Sequence, residues 1–249
     1  MNAHCRQFSD LWHPFRETRL HLYYRRSGKT VTFDPSQHPV SSMPNLNAYC
    51  QAHSTPLSPI LYELERETHL KTLAPQMLSG PLQGQLLRLL SLMIRPRAVL
   101  EIGTFTGYSA ICLAQGLAED GILHTIEVNE ELAWFGKKYF AKAGLSDRIV
   151  AHIGDALTIV PTLPETFDLV FLDAGKHDYV AYFDLVIDRL RPGGWILTDN
   201  VLWDGKVAQK KPDKDALYLD TFNKKLRDDP RVEYLLLPIR DGLGVVRKV

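Results

Sequence analysis

The chain has 249 residues, with 29 Lys and Arg against 29 Asp and Glu, and 45% of its residues are hydrophobic. That length suits one α/β domain with an appendage, and the balanced charge excludes a general attraction to nucleic acid or anionic membrane, leaving only local basic patches. The three cysteines, Cys5, Cys50 and Cys112, show neither a CxxC spacing nor an even count, which leaves a disulfide framework or a structural zinc site without support.

Residues 1–42 carry Arg6, Arg16, Arg19, Arg25, Arg26 and Lys29 against Asp10, Glu17 and Asp34, with scattered aromatics and no sustained period. A poorly ordered extension is the expectation, with a transit peptide as the alternative and Met43 as a candidate natural start. No apolar run approaches the ~20 residues that span a bilayer, so no membrane partner is expected and the cytoplasm is the default compartment.

From Leu46 the texture changes. Residues 60–73 (ILYELERETHLKTL) space apolar residues as a helix does. Residues 81–94 (PLQGQLLRLLSLMI) form a second helix, with Pro81 suited to its first turn and Arg95-Pro96 ending it. Residues 76–80 between them read as a loop. Short runs rich in Val, Ile and Leu follow at 98–102, 122–128, 149–153, 169–172 and 195–198, alternating with helical patterns at 109–117, 130–143, a short stretch after Ala156, and 179–190. This alternation implies βαβ units and a parallel sheet covered on both faces. A further helix at 216–226 precedes strands at 232–237 and 244–249, close enough for a hairpin. The expected architecture is a Rossmann-like α/β sandwich, seven-stranded and mostly parallel with an antiparallel last strand. Within 43–249, residues 43–97 form a helical cover and 98–249 the core.

In open α/β sheets ligands bind beyond the carboxyl ends of the strands, and those positions are polar here. The first strand runs into Glu101-Ile-Gly103-Thr-Phe105-Thr-Gly107-Tyr-Ser109. Its glycines let a ligand approach the backbone, and Glu101, which turning does not require, can receive an ammonium group. The second strand ends at Glu127, placed to accept both ribose hydroxyls of a nucleoside. Nicotinamide cofactors use the same device, but Gly103 and Gly107 are four apart and not arranged as GxGxxG, so the close pyrophosphate approach of a dehydrogenase is not provided. At the third strand end, Asp155-Ala156 is either a helix cap or an adenine contact.

Asp173 (in FLDAGKHDY) and Asp199-Asn200 (in LTDNV) follow strands expected to be neighbours, so three oxygen donors converge. That set suits a hard divalent cation, Mg²⁺ above others, with Lys176 beside it. Tyr179 and Trp203 read either as an aromatic wall for a planar acceptor or as core. The loop GKVAQKKPDK at 205–214 reads as a solvated basic loop, with CoA phosphates or RNA as its alternative ligands.

VLEIGTFTGYSA, HTIEVNEEL, IGDAL, FDLVFLDAGKHDY, RPGGWILTDNVLW and PIRDGLGVVRKV together resemble the cation-dependent O-methyltransferases that include the caffeoyl-CoA and catechol enzymes, particularly their small bacterial members. The likeness extends from about residue 46 to 249. It implies an S-adenosylmethionine (SAM) site made by Met77, Ser79, Glu101, Gly103, Phe105, Ser109, Glu127, Asp155, Ala156 and Asp173. It also implies a metal held by Asp173, Asp199 and Asn200, with Lys176 and Asp173 catalytic and Lys176 the general base. The implied reaction is methyl transfer to a hydroxyl of a catechol-like or hydroxycinnamoyl-type small molecule, with hydroxyuridine in tRNA as the alternative acceptor, in a homodimer. Gly175 departs from the acidic residue that precedes this lysine in the plant members. A non-catalytic SAM-binding protein on the same fold is the competing class.

Overall fold

The computed structural model describes residues 46–249; the expected N-terminal extension lies outside the described residues. Seven strands form one sheet: β1 (Ala98–Ile102), β2 (Ile122–Glu127), β3 (Ile149–Ile153), β4 (Phe167–Leu172), β5 (Leu190–Asp199), β6 (Val232–Leu237) and β7 (Leu243–Lys248). Their order is β3-β2-β1-β4-β5-β7-β6. β7 runs antiparallel to both β5 and β6, and the other neighbouring pairs are parallel. The expected architecture is therefore the observed one.

All five residues of β1 are buried, and the pleat sends alternate ones to opposite faces. Ala98, Leu100 and Ile102 join Val170, Leu172, Phe183, Ile196 and Phe222 in one core. Val99 joins Leu61, Leu64, Ile111, Leu169, Phe171 and Leu197 in the other. A strand packed on both sides has no polar face to alternate, which is why β1 reads as apolar apart from Glu101.

The helices are α1 (Leu46–Ala52), α2 (Pro59–Lys71), α3 (Gly80–Ile94), α4 (Tyr108–Ala114), α5 (Ala133–Lys142), α6 (Ala156–Ile159), α7 (Tyr179–Ile187) and α8 (Lys214–Asp228). α3 ends at Arg95, whose left-handed φ of 50° lets its N–H bond the Ser91 carbonyl. The helical cover is tied to the core by Glu67 of α2, whose carboxylate accepts from Tyr139 at 2.5 Å and pairs with Lys138 and Lys71. These partners, Lys138 first, hold the Glu67 carboxyl down at about 2.

Most expected elements are present, with shifted ends. β5 begins at Leu190, not 195, because Pro192-Gly193-Gly194 interrupts hydrophobicity without ending the strand; the pairing with β4 slips between Phe167 and Leu169 instead. The expected helix at 130–143 starts as a 3₁₀ turn at Glu130–Leu132, capped by the Asn129 side chain, before α5 begins. The expected loop at 76–80 overlaps a 3₁₀ turn at Pro75–Met77 and the first residue of α3. Among the described residues no helix is long and apolar enough to cross a membrane.

Candidate functional site

The turn after β1 is built from unusual backbone. Gly103 has φ 106°, Phe105 49° and Gly107 91°. A Cβ on Gly103 would lie 1.8 Å from the Asp173 carbonyl oxygen, so only glycine lets the β1 turn press against the end of β4. The Phe105 N–H donates to Glu127 Oε2 at 2.7 Å, and the Asn129 N–H donates to Oε1 at 2.9 Å. Both Glu127 oxygens are thus oriented by main chain, and each retains acceptor capacity.

Glu101 lies fully buried beneath this turn. Thr125 donates to its Oε2 at 2.5 Å, and Thr104 lies 2.5 Å from Thr125 in turn. Oε1 has no hydrogen-bond partner. Burial pushes this carboxyl up to about 8, against the pull of the Ser109 and Thr125 hydroxyls and with further push from the charges of Asp173 and Glu127. A buried acid with an unused oxygen is a receptor for a cationic group.

The cleft over this acid is lined by Met77, Leu78 and Ser79 from one side, and by Gly103, Thr104, Phe105, Thr106, Tyr108, Ser109 and Asp173 from the other. Six residues named from sequence, Met77, Ser79, Gly103, Phe105, Ser109 and Asp173, share this lining. Glu101 and Glu127 are joined to it through Thr104 and Phe105. Asp155 and Ala156 are not part of the lining. Asp155 caps α6, accepting the Leu157 N–H at 2.9 Å on Oδ1. The Gly154 N–H still ties this segment to the Glu127 carbonyl at 2.8 Å.

Beside the cleft, β4 and β5 deliver Asp173, Asp199 and Asn200. Lys176 Nζ donates to Tyr179 Oη at 2.8 Å and Asn200 Oδ1 at 3.0 Å, and lies 3.3 Å from Asp173 Oδ1. Tyr179 Oη donates onward to the Asp199 carbonyl at 2.8 Å. Asn200 sits at φ 58°, and its N–H bonds Asp199 Oδ1 at 2.9 Å. Asp199 Oδ2 is buried without a hydrogen-bond partner; the nearest cation is Arg240 Nη1 at 3.7 Å. Burial, reinforced by the negative charge of Asp173, raises the Asp199 carboxyl to about 6. Among the described residues no three His, Cys, Asp or Glu side chains gather to hold a metal ion; this group combines two carboxylates with one amide.

Tyr179 is fully buried, edge-on to Phe222 at 5.2 Å between centroids, so it belongs to the core and does not form an acceptor wall. Trp203 is partly buried against the same core, with Lys206 Nζ 5.9 Å from its ring. In the basic loop Lys206 pairs with Asp213 at 3.0 Å, while Lys210, Lys211 and Lys214 are exposed.

Sequence reading missed Leu78, Thr104, Thr106 and Tyr108 in the cleft, and Gln83 and Arg240 beside Asp199. The first four are interleaved with residues it did name, so their positions were in view. Arg240 had no local signal: its partners Gln83, Gln76 and Leu78 lie 157 to 164 residues away.

Residues 51–249 match the family described as O-methyltransferase. The chain is 35% identical over 180 residues to a caffeoyl-CoA O-methyltransferase of Petroselinum crispum, covering 67% of this chain and 75% of that protein. Against caffeoyl-CoA O-methyltransferase 1 of Eucalyptus globulus the figures are 37%, 67% and 73%. The SAH-bound methyltransferase of Podospora anserina superposes with a TM-score of 0.77 at 28% identity, covering 89% of this chain and 99% of that one. The Bacillus cereus O-methyltransferase in complex with SAH gives 0.76 at 30%, covering 82% and 97%. An O-methyltransferase from Streptomyces achromogenes involved in tomaymycin synthesis, in complex with SAM, gives 0.76 at 31%, covering 82% and 96%.

Proposed function

This chain belongs to the O-methyltransferase family and uses SAM as its methyl donor, and on that premise we propose that it methylates a hydroxyl of a catechol-like or hydroxycinnamoyl-type small molecule held at a divalent cation. The observation that carries the cation is Asp199, a buried carboxylate whose Oδ2 accepts no hydrogen bond and has Arg240 at 3.7 Å, next to a second carboxylate, Asp173. With the Asn200 amide oxygen these are hard donors, a set that fits Mg²⁺. The Lys176 ammonium, bridging Asp173 Oδ1 and Asn200 Oδ1, displays the same local demand for positive charge.

Asp173, Asp199 and Asn200 would hold the cation, which when bound polarises the acceptor's oxygens and lowers the acidity threshold of its hydroxyl. The remaining work falls to the chain. Glu101 and Glu127 supply negative charge for the donor's ammonium group and two oriented acceptors for its ribose. The cleft between Met77, Ser79 and the β1 turn aligns donor and acceptor, which is the main requirement of an in-line displacement. Lys176, once its amine carries a lone pair, takes the hydroxyl proton at Nζ, oriented by its bond to Tyr179 Oη. The acceptor oxygen then bonds the methyl carbon as the carbon–sulfur bond breaks, with the electron pair left on sulfur, giving SAH.

The small-molecule acceptor is supported by the caffeoyl-CoA O-methyltransferase relatives and by the neutral overall charge of the chain. Activity is measured with catechol, caffeoyl-CoA and undermodified tRNA, each with labelled SAM, with Mg²⁺ or with EDTA. Mg²⁺-dependent labelling of one of the first two is expected. Full turnover in EDTA would overturn the cation, and labelling of tRNA alone would overturn the acceptor class.

A further inference from the structure

Arg240 lies on the turn between β6 and β7, far in sequence from the cleft, yet its guanidinium makes three hydrogen bonds and one ion pair with other segments. Nη2 donates to the carbonyls of Leu78 at 2.7 Å and Gln76 at 3.1 Å. Nη1 donates to Gln83 Oε1 at 3.0 Å and lies 3.7 Å from Asp199 Oδ2. The two carbonyls belong to the segment that forms one wall of the cleft. Apart from the local bonds of Met77 to Ala74 and Leu78 to Pro75, Arg240 supplies that segment's main-chain hydrogen bonds to the rest of the site among the described residues.

The turn carrying Arg240 is itself firmly held. The Gly242 N–H closes it on the Ile239 carbonyl at 2.9 Å, and the Leu202 N–H bonds the Asp241 carbonyl at 2.9 Å. The Asp204 N–H bonds the Asp241 side chain at 2.5 Å. Gly242 sits at φ 93°, and a Cβ there would lie 2.5 Å from Leu202 Cγ, so the turn is pressed onto the chain that follows Asn200. Arg240 holds φ 53°, an uncommon conformation for a residue with a side chain, and one that the surrounding bonds must impose.

We propose that Arg240 is a positioning residue: it fastens the Gln76–Leu78 wall of the cleft to the Asp199 end of the site, so that retention of the methyl donor depends on a residue that does not touch the reacting atoms. A planar, permanently charged fork can serve two carbonyls, an amide and a carboxylate together, whereas a lysine presents one centre and would serve only some of them. The inference rests on the reading that the donor lies against residues 77–79, and the test separates the two.

Amide hydrogen exchange of a peptide covering residues 74–82 is followed in wild type, R240A and R240K, all metal-free, with and without SAH. SAH affinity is measured by calorimetry on the same samples, and KM for SAM and kcat with Mg²⁺. In R240A, exchange at 76–79 rises roughly tenfold, the scale of one charge-assisted hydrogen bond. SAH affinity and KM weaken by a similar factor while kcat changes far less, and R240K recovers part of the loss. Unchanged exchange at 76–79 in R240A overturns the proposal, as does faster exchange spread equally over β1 and β4 with a lower melting temperature, which marks a general stability role. If wild type fails to bind SAH, the donor reading falls, while the exchange in ligand-free protein still decides whether Arg240 holds the wall.

Discussion

Glu127 and Asp199 stand at the carboxyl edge of one sheet, at the ends of β2 and β5 with β1 and β4 between them, and they are held in opposite ways. Glu127 receives two backbone N–H groups, one on each oxygen. Asp199 receives one, on Oδ1, and its Oδ2 is buried with no hydrogen bond. The first is finished by the fold, because turns that must exist to connect strands to helices also aim their amides at it. The second is left with excess negative charge beside Asp173, at a cost in burial. On the proposed reading, donor binding would rest on local backbone geometry and cation binding on two strand ends meeting.

Variants can break this contrast. The largest effect is expected from D199A, which lowers turnover on the order of 10³-fold and abolishes any response to Mg²⁺, while calorimetry shows SAH affinity unchanged; a large loss of SAH affinity would mean that the two regions are not separable. K176M comes next. Its kcat falls roughly 10²-fold, within the range of general-base removal, and a comparable fall in SAH affinity would assign Lys176 to holding the cleft together. E127A weakens SAH binding by roughly tenfold, through loss of oriented acceptors, with kcat at saturating SAM close to wild type; a kcat defect as deep as that of D199A would erase the distinction.

The smallest effect concerns Glu101 and stability. Its folded carboxyl is pushed up to about 8 from an ordinary 4.5. Between these values the folded chain holds a proton that the unfolded chain has released, so ligand-free stability falls as pH rises through that window. E101Q removes the dependence and melts about 3–5 °C higher than wild type at pH 8, given the few degrees per kcal/mol typical of this size, while it loses affinity for SAH. Parallel melting curves for the two proteins from pH 5 to 8 would show that this acid is not held protonated.

β1, β3 and β6 were legible to the residue, at 98–102, 149–153 and 232–237, because each is a short β-branched or aliphatic run that ends where polar or turn residues begin. The strand ends that carry Glu127, Asp173 and Asp199 were legible for the same reason, since an acid closing an apolar run is visible without knowing its neighbours. Gly103 was legible as a turn, but the 1.8 Å approach that forbids a side chain there comes from Asp173, seventy residues on.

By itself, the sequence determined the succession of strands and helices, their periodicity, and the edge of the sheet at which chemistry gathers, since these depend on neighbours a few positions away. The tertiary structure alone decided that Tyr179 is core, and that Arg240 closes on the Gln76–Leu78 wall. Each of those depends on which polar groups are left unpaired once the sheet has assembled. Hydrogen bonds across more than a hundred residues leave no periodic trace in the chain that makes them.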